Sequence, residues 1–374
     1  MRILSVFGTR PEAIKLAPVV KELAKRPNIE SRVAVTAQHR EMLDQVLNLF
    51  GIVPDHDLNI MRHGQTLSGI TSAVLTGIEE IFASENPDLV LVHGDTTTTF
   101  AAALAAFYAR IPCGHVEAGL RTSDKSSPFP EEVNRRLSGV LADYHFAPTL
   151  IARFNLVLEK VPAERIVVTG NTVIDALLET VKKDCNLADY GLGGVDWSKK
   201  VILLTCHRRE SWGAPMRNIF AAVQRIVHDF ADVELVFPVH KNPLIHDLAH
   251  AMLGGEERVH LIEPLEYLPF CHLMNNCYLV LTDSGGMQEE APALGKPVLV
   301  LREVTERPEA IEAGTARLVG NDGENLYEEV KRLLRDEAAY AAMAKAANPF
   351  GDGTAAVQIA DAIEEWFKDK NNAY

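Results

Sequence analysis

Short runs of β-branched and aliphatic residues alternate with helix-patterned segments along almost the entire 374-residue chain, and that alternation most narrows the folds open to it. Residues 3–7, 31–36, 89–93, 114–117, 145–147 and 166–168 read as strands. A second series follows at 201–205, 234–238, 259–262, 278–281, 298–301 and 316–319. Many of these runs are continuously apolar, Leu89-Val90-Leu91-Val92 among them, as in strands covered on both faces of a parallel sheet. Helical patterns at 11–25, 42–49, 97–109, 216–229 and 287–294 lie between them. Parallel neighbours require crossovers, and these are right-handed. The fold class predicted is α/β, with doubly wound domains.

A Gly170-Asn171 pair closes the sixth strand, and a Gly-rich, poorly periodic stretch at 190–200 precedes the second series. The boundary is placed near residue 170. That gives an N-terminal domain 1–170 and a C-terminal domain 171–354, with a closing helix at about 355–374 packing back on the first. The two domains are expected to face each other across a cleft. Open α/β sheets bind ligands beyond the carboxyl ends of their strands, so the polar residues just after each strand are the candidates.

Charge and composition exclude several classes. Lys and Arg total 37 against 51 Asp and Glu, a formal net charge of −14, which speaks against a nucleic-acid partner. No apolar run reaches the roughly 18 residues of a membrane span. The first residues read as a strand rather than a secretory signal. Five cysteines (Cys113, Cys185, Cys206, Cys271 and Cys277) are odd in number and form no C-x-x-C pair, as expected of reduced cytoplasmic thiols. No H-E-x-x-H or EF-hand spacing occurs, so no metal and no cofactor is expected. The one G-x-G-x-x-[G/A] match, 351–356, does not follow a strand and reads as the start of a helix.

The first strand runs into Gly8-Thr9-Arg10-Pro11-Glu12, with Pro11 suited to the first helical position and Lys15 a turn further on. This is either an anion cradle at a helix N-terminus or a capped surface helix with two solvated cations. The third strand ends in His93-Gly94-Asp95, where Asp95 is a natural N-cap for the threonines that follow. Glu117 ends the next strand, so Asp95 and Glu117 are expected to share a pocket, where neighbouring carboxylates push their pKa values apart. Glu131 and Glu132 open another helix, where acidic residues ordinarily just complement the dipole. In the second half, His207-Arg208-Arg209 forms a dense cationic loop, and Val239-His240-Lys241 repeats the theme. Asp283-Ser284-Gly285-Gly286 follows a strand. Ser284 is a candidate cap, the glycines let a diphosphate approach free amides, and Glu290 is placed to accept from a ribose diol.

These segments resemble the bacterial non-hydrolysing UDP-N-acetylglucosamine 2-epimerases. The matching stretches are FGTRPEAIK (7–15), TAQHREMLDQVL (36–47), LVHGDTTTT (91–99), GHVEAGLRT (114–122), PEEVNRR (130–136), VTGNTVIDALL (168–178), HRRES (207–211), LTDSGGMQEEAPALGKPVLVLR (281–302), TERPEA (305–310) and NPFGDG (348–353). They cover nearly the whole chain in order. The resemblance implies two Rossmann-like domains in a GT-B arrangement, with a site in the interdomain cleft, and a homodimer. It implies conversion of UDP-GlcNAc to UDP-ManNAc, by loss of UDP to 2-acetamidoglucal and its re-addition, to supply surface polysaccharide. It carries catalytic roles onto Asp95, Glu117, Glu131 and His207. Substrate-binding roles fall on Arg10, Lys15, Phe270, Ser284, Gly285, Gly286, Glu290 and Arg307. A second UDP-GlcNAc, bound as allosteric activator, would touch Gln38, Gln65, Glu131, Arg208 and His240. Two positions depart from the family: Cys206 stands where Gly is usual, and Leu265 where Gln often contacts uracil. A GT-B glycosyltransferase, a hydrolysing epimerase and a non-catalytic nucleotide-sugar sensor are the competing readings.

Overall fold

The computed structural model describes residues 1–37, 40–60, 64–122 and 124–372. The chain divides into two compact units, one made of Met1–Ala176 with the segment from Phe350 onward, the other of Leu177–Pro349.

In the first unit the strands are β1 (Arg2–Phe7), β2 (Glu30–Val35), β3 (His56–Asp57), β4 (Leu89–His93), β5 (Cys113–Val116), β6 (Tyr144–Ala147) and β7 (Ile166–Val168). They form a seven-stranded sheet in the order β3-β2-β1-β4-β5-β6-β7, parallel throughout. Every residue of β4 is buried, which explains its unbroken apolar run. The helix Leu67–Glu85 presents Ile70, Val74, Ile78, Ile81 and Phe82 at helical spacing to a core shared with Leu4, Val6, Val90 and Val92. Beside it, the helix Thr97–Ala109 buries Ala101, Ala102, Ala103, Ala105 and Ala106 completely. Such small side chains let its backbone lie close to the sheet. Each larger apolar side chain buried in this way contributes about 1.5–3 kcal/mol.

The helix Ala355–Asn372 belongs to this first unit. Its Trp366 stacks on Tyr144 of β6, with ring centroids 4.0 Å apart and planes 14° apart, and tilts against Phe146 at 5.4 Å. Arg26, just past the helix Arg10–Ala24, reaches Asp361 at 2.8 Å and Glu22 at 2.9 Å.

The second unit contains β8 (Lys200–Thr205), β9 (Val233–Pro238), β10 (Val259–Ile262), β11 (Leu279–Thr282), β12 (Val298–Val300) and β13 (Ala316–Leu318). Its six-stranded sheet runs β10-β9-β8-β11-β12-β13, again parallel. Phe220 of the helix Ala214–Asp229 meets Phe237 of β9 edge-on at 5.7 Å, within a core that includes Leu204, Leu281, Val330 and Leu333.

The alternation predicts doubly wound α/β domains and the resemblance two Rossmann-like ones, and the sheets have that construction. The two-residue edge strand β3 carries no apolar run and leaves no signature in the sequence. Among the described residues, no helix is long and apolar enough to cross a membrane. Strand order reverses between β1 and β4 in one sheet and between β8 and β11 in the other. Loops diverge at such points, and the space beyond the strand ends can take a ligand.

Candidate active site

At the first reversal point, Gly8 leaves β1 where no side chain fits. A Cβ there would lie 2.0 Å from Thr36 Oγ1 and 2.7 Å from Thr98 Oγ1. Glu12, in the first turn of the helix Arg10–Ala24, folds back into the loop. Its Oε2 accepts the Gly8 and Thr9 N–H groups at 3.0 and 2.8 Å, and its Oε1 accepts the Thr96 and Thr99 hydroxyls at 2.6 and 3.0 Å. Burial pushes its carboxyl above the usual 4.5, while these bonds pull it back. An internal carboxylate therefore occupies the amides that an incoming anion would need. The helix starts at Arg10, which makes Pro11 its second residue, not its first. The Arg10 side chain has no protein partner among the described residues. Lys15 Nζ, by contrast, is bonded to Glu117 Oε1.

Asp95 is not the cap its sequence position suggests. Thr96 caps the helix Thr97–Ala109, its Oγ1 accepting from Thr99 N. The Asp95 carboxylate instead receives Arg135, from Nε at 3.1 Å and from Nη2. Asn134 Nδ2 donates to the Asp95 carbonyl at 3.0 Å. Burial raises the Asp95 carboxyl above 3.8, Arg135 opposes that, and the nearby Glu117 charge adds to it. The two carboxylates thus feel each other, as the strand order suggests.

Glu117 lies one residue past β5 with φ +62°, a left-handed conformation strained for a residue other than glycine. That twist turns its carboxylate inward. Besides Lys15, its Oε1 accepts Asn171 Nδ2 at 2.7 Å. Its Oε2 lies 3.6 Å from Nε2 of His93, a buried imidazole that desolvation pushes down to about 4.

Glu131 begins the helix Glu131–Leu141, half-buried and with no side-chain partner among the described residues. Its neighbour Glu132 does more than complement the dipole. Fully buried, it accepts Arg136 Nε at 2.7 Å and Thr122 N at 3.0 Å. Gln65 Nε2 donates to the Ile60 carbonyl at 2.8 Å. Gln38 lies outside the described residues.

At the second reversal point, Cys206-His207-Arg208 follows β8 and Asp283 follows β11. Asp283 Oδ2 accepts the N–H groups of both His207 and Arg208 at 2.8 Å, and Oδ1 stands 3.1 Å from His207 Nδ1. Burial raises the Asp283 carboxyl, but the imidazole and the two N–H groups outweigh it and hold it below 3.8. Cys206 is buried, and its thiol is pushed well above 9.0 by burial and by Asp283. His240, exposed after β9, lies nearly parallel to His207 with centroids 6.0 Å apart, and its Nδ1 accepts from Asn242 N. Arg208 Nε is buried with no hydrogen-bond partner among the described residues.

Ser284 does not cap the helix Met287–Ala293, which begins after Gly286 with no side-chain cap. Its N–H donates to Thr282 Oγ1 at 2.9 Å, and its carbonyl accepts Gln288 Nε2 at 3.1 Å. Arg307 Nε is bonded to Glu289, its N–H donates to Thr305 Oγ1, and its guanidinium carbon lies 4.0 Å from where a Gly285 Cβ would stand. Glu290 lies in the first turn of that helix, its Oε1 beside Gly286. Phe270 is half-buried on the helix Tyr267–Asn276 after β10, and Leu265 lies in the loop before it.

In the first unit Lys15, Glu117 and Asn171 meet, as do Asp95 and Arg135; in the second, Asp283 joins His207 and Arg208. Sequence reasoning misses the residues that hold the candidates: Glu12, Arg135, Asn171, Asp283 and Glu289. Glu12, Asn171 and Asp283 carried a positional signal, since each stands in a segment just past a strand, while Arg135 and Glu289 carried none.

The UDP-N-acetylglucosamine 2-epimerase family model matches residues 21–364. A UDP-N-acetylglucosamine 2-epimerase of Escherichia coli strain K12 is 57 % identical over 372 residues, covering 97 % of this chain and 98 % of the relative. The protein of the same name from Bacillus subtilis strain 168 is 56 % identical over 363 residues, covering 97 % and 95 %. The crystal structure of the UDP-GlcNAc 2-epimerase from Neisseria meningitidis bound to UDP-GlcNAc matches with a TM-score of 0.87 at 49 % identity, covering 98 % of this chain and all of that one.

Proposed function

The chain belongs to the UDP-N-acetylglucosamine 2-epimerase family, and from that premise we propose that it is an isomerase interconverting UDP-GlcNAc and UDP-ManNAc without hydrolysis. The supporting observation is the carboxylate pair at the first reversal point, Asp95 held by Arg135 and Glu117 held by Lys15. Inversion at C2 needs a proton removed from one face and returned to the other, and two fixed carboxyl groups, one as base and one as acid, suit that work.

The C2 hydrogen of the sugar is not acidic, because no carbonyl sits beside C2 where an enolate could form. Breaking the C1–O bond to UDP first gives C1 oxocarbenium character and makes the C2 proton labile. Loss of that proton gives 2-acetamidoglucal and UDP, and re-addition with protonation on the opposite face gives the epimer. Asp95, Glu117 and Glu131 handle the protons and tolerate the developing positive charge. Arg10, Lys15, Arg307 and the Ser284-Gly285-Gly286 turn receive the diphosphate, and His207 gives a proton to it. Each charge-assisted hydrogen bond contributes about 1.5–3 kcal/mol, and about 1.4 kcal/mol of differential stabilisation is tenfold in rate. Glu290 accepts from the ribose diol, and Phe270 packs on the nucleoside.

A second UDP-GlcNAc, held by Gln38, Gln65, Glu131, Arg208 and His240, acts as activator. The enzyme works as a homodimer in the cytoplasm and supplies ManNAc units for surface polysaccharide. Exposed Phe107, Tyr108, Leu137 and Val140, on two neighbouring helices, favour the dimer.

Incubation with UDP-GlcNAc alone in D₂O, followed by NMR, tests the reading. UDP-ManNAc carrying deuterium at C2 is the expected product. Stoichiometric UDP and free ManNAc would make the enzyme hydrolysing, and unchanged substrate would make the protein a sensor.

A further inference from the structure

The loop after β8 is held by a residue from another strand end, and the way it is held bears on His207. Asp283 is wholly buried. One of its oxygens, Oδ2, accepts two consecutive backbone N–H groups, those of His207 and Arg208, both at 2.8 Å. This fixes the backbone on which the imidazole stands. The other oxygen, Oδ1, takes no backbone N–H and lies 3.1 Å from His207 Nδ1. The imidazole is 40 % exposed while the carboxylate at its Nδ1 edge is 0 % exposed, so a partly exposed ring stands on a buried anion. The loop has a second anchor in Glu210, whose Oε1 accepts Arg302 Nε at 2.5 Å, from a guanidinium that is itself buried.

We propose that Asp283 is a positioning residue for His207, keeping a proton on Nδ1 so that Nε2 is the nitrogen offered to the departing nucleotide. The inference rests on the function proposed above. An anion beside Nδ1 favours the form with Nδ1–H, because the other neutral tautomer would set a lone pair against a carboxylate oxygen. The imidazolium, which carries a proton on both nitrogens, is the form that can donate from Nε2. As the C1–O bond breaks, the bonding pair leaves with the β-phosphate oxygen, and the Nε2 proton moves to that oxygen. The imidazole is then neutral, with its Nδ1–H still beside Asp283 Oδ1. When UDP adds back, the oxygen forms the C1 bond and the proton returns to Nε2. One ring edge thus serves both directions of a reversible reaction, and neither direction requires the ring to turn over. The same division of labour between an orienting carboxylate and a working imidazole is known from Ser-His-Asp enzymes, where an Asn in place of the Asp leaves the geometry intact but the wrong tautomer.

The test has two arms on the full-length protein. In the first, histidine is labelled with nitrogen-15 and the His207 ring is assigned by comparison with His207→Gln. Long-range proton–nitrogen correlations of the ligand-free protein at a pH where the ring is neutral then report its tautomer. The wild type is expected to show Nδ1–H, and Asp283→Asn to lose that preference. A wild-type ring protonated on Nε2, or an unchanged tautomer in Asp283→Asn, would overturn the proposal, whether or not the protein turns over UDP-GlcNAc. In the second arm, Asp283→Asn is expected to lower kcat about 100-fold with little change in KM. Adding Asp283→Asn to His207→Gln is expected to cost little more, since a positioning residue acts only through the ring it positions. Full additivity of the two losses, or wild-type kcat in Asp283→Asn, would also overturn it. Absence of UDP-ManNAc formation by the wild type would strike the proposed function and leave the tautomer measurement to stand by itself.

Discussion

Glu12 Oε1 accepts the Thr96 hydroxyl at 2.6 Å, joining residues 84 positions apart. The bond ties the loop after β1 to the start of the helix after β4, so Arg10 and Asp95 are carried by two loops that share one buried carboxylate. Glu12→Ala would leave the Gly8 and Thr9 N–H groups and two threonine hydroxyls without it. It is expected to destabilise the first unit by about 3 kcal/mol, read from the urea midpoint. A midpoint within experimental error of wild type would mean that the four donors find other partners.

Arg135 opposes the burial that raises the Asp95 carboxyl. Arg135→Gln removes that opposition, so Asp95 moves further up and ionises only at higher pH. If Asp95 works as a carboxylate, the acid limb of the kcat/KM profile moves to higher pH, and activity at pH 6 falls more than at pH 8. An unmoved limb in an active, folded variant would remove Asp95 from the ionisations that the profile reports.

His93, His115 and His145 stand at the ends or middles of adjacent strands and are buried. Desolvation pushes the first two down to about 4 and the third to about 3. In the unfolded chain they return to about 6.5 and bind protons more readily than in the folded one. Stability is therefore full above pH 6.5 and is lost progressively as pH falls toward 4. Between pH 7 and 5.5 each histidine is expected to cost about 1 kcal/mol. Urea unfolding of the first unit, followed by Trp366 fluorescence in a Trp197→Phe, Trp212→Phe background, measures the fall. A midpoint that does not change with pH would show that these rings are not held neutral.

Trp366 stacks on Tyr144 at 4.0 Å and touches Phe146. Trp366→Ala is expected to cost the first unit about 3 kcal/mol. His207 belongs to the other unit, so its NMR signals are expected to be unchanged. Equal loss in both units would contradict their separate cores.

Much of the fold was legible because buried parallel strands leave continuous apolar runs, and these locate every strand except β3 to within about a residue at either end. At β3 a two-residue edge has no face to hide and no pattern to show. The long helix Leu67–Glu85 does carry a readable repeat in Ile70, Val74, Ile78, Ile81 and Phe82, but it went unnamed among the helical segments. Asp95 and Ser284 both stood where caps stand. Neither caps: Thr96 takes that place while the Asp95 carboxylate is drawn to an arginine 40 positions away, and the helix Met287–Ala293 begins after Gly286 with no side-chain cap. Local pattern carries no information about partners brought together by sheet order, and Arg135, Asn171 and Glu12 are all of that kind. Glu132 was misread for the same reason: its helix-start position was visible, but its bond to Thr122 N was not.

The first unit is assembled from both ends of the chain, since the segment from Phe350 onward packs on strands made before residue 170. During synthesis, the aromatic faces of Tyr144 and Phe146 must wait for the second unit to be translated before their cover emerges from the ribosome. The unit begun first is thus completed only after the second, and loss of the turn that carries Trp366 wounds the domain whose strands are made first.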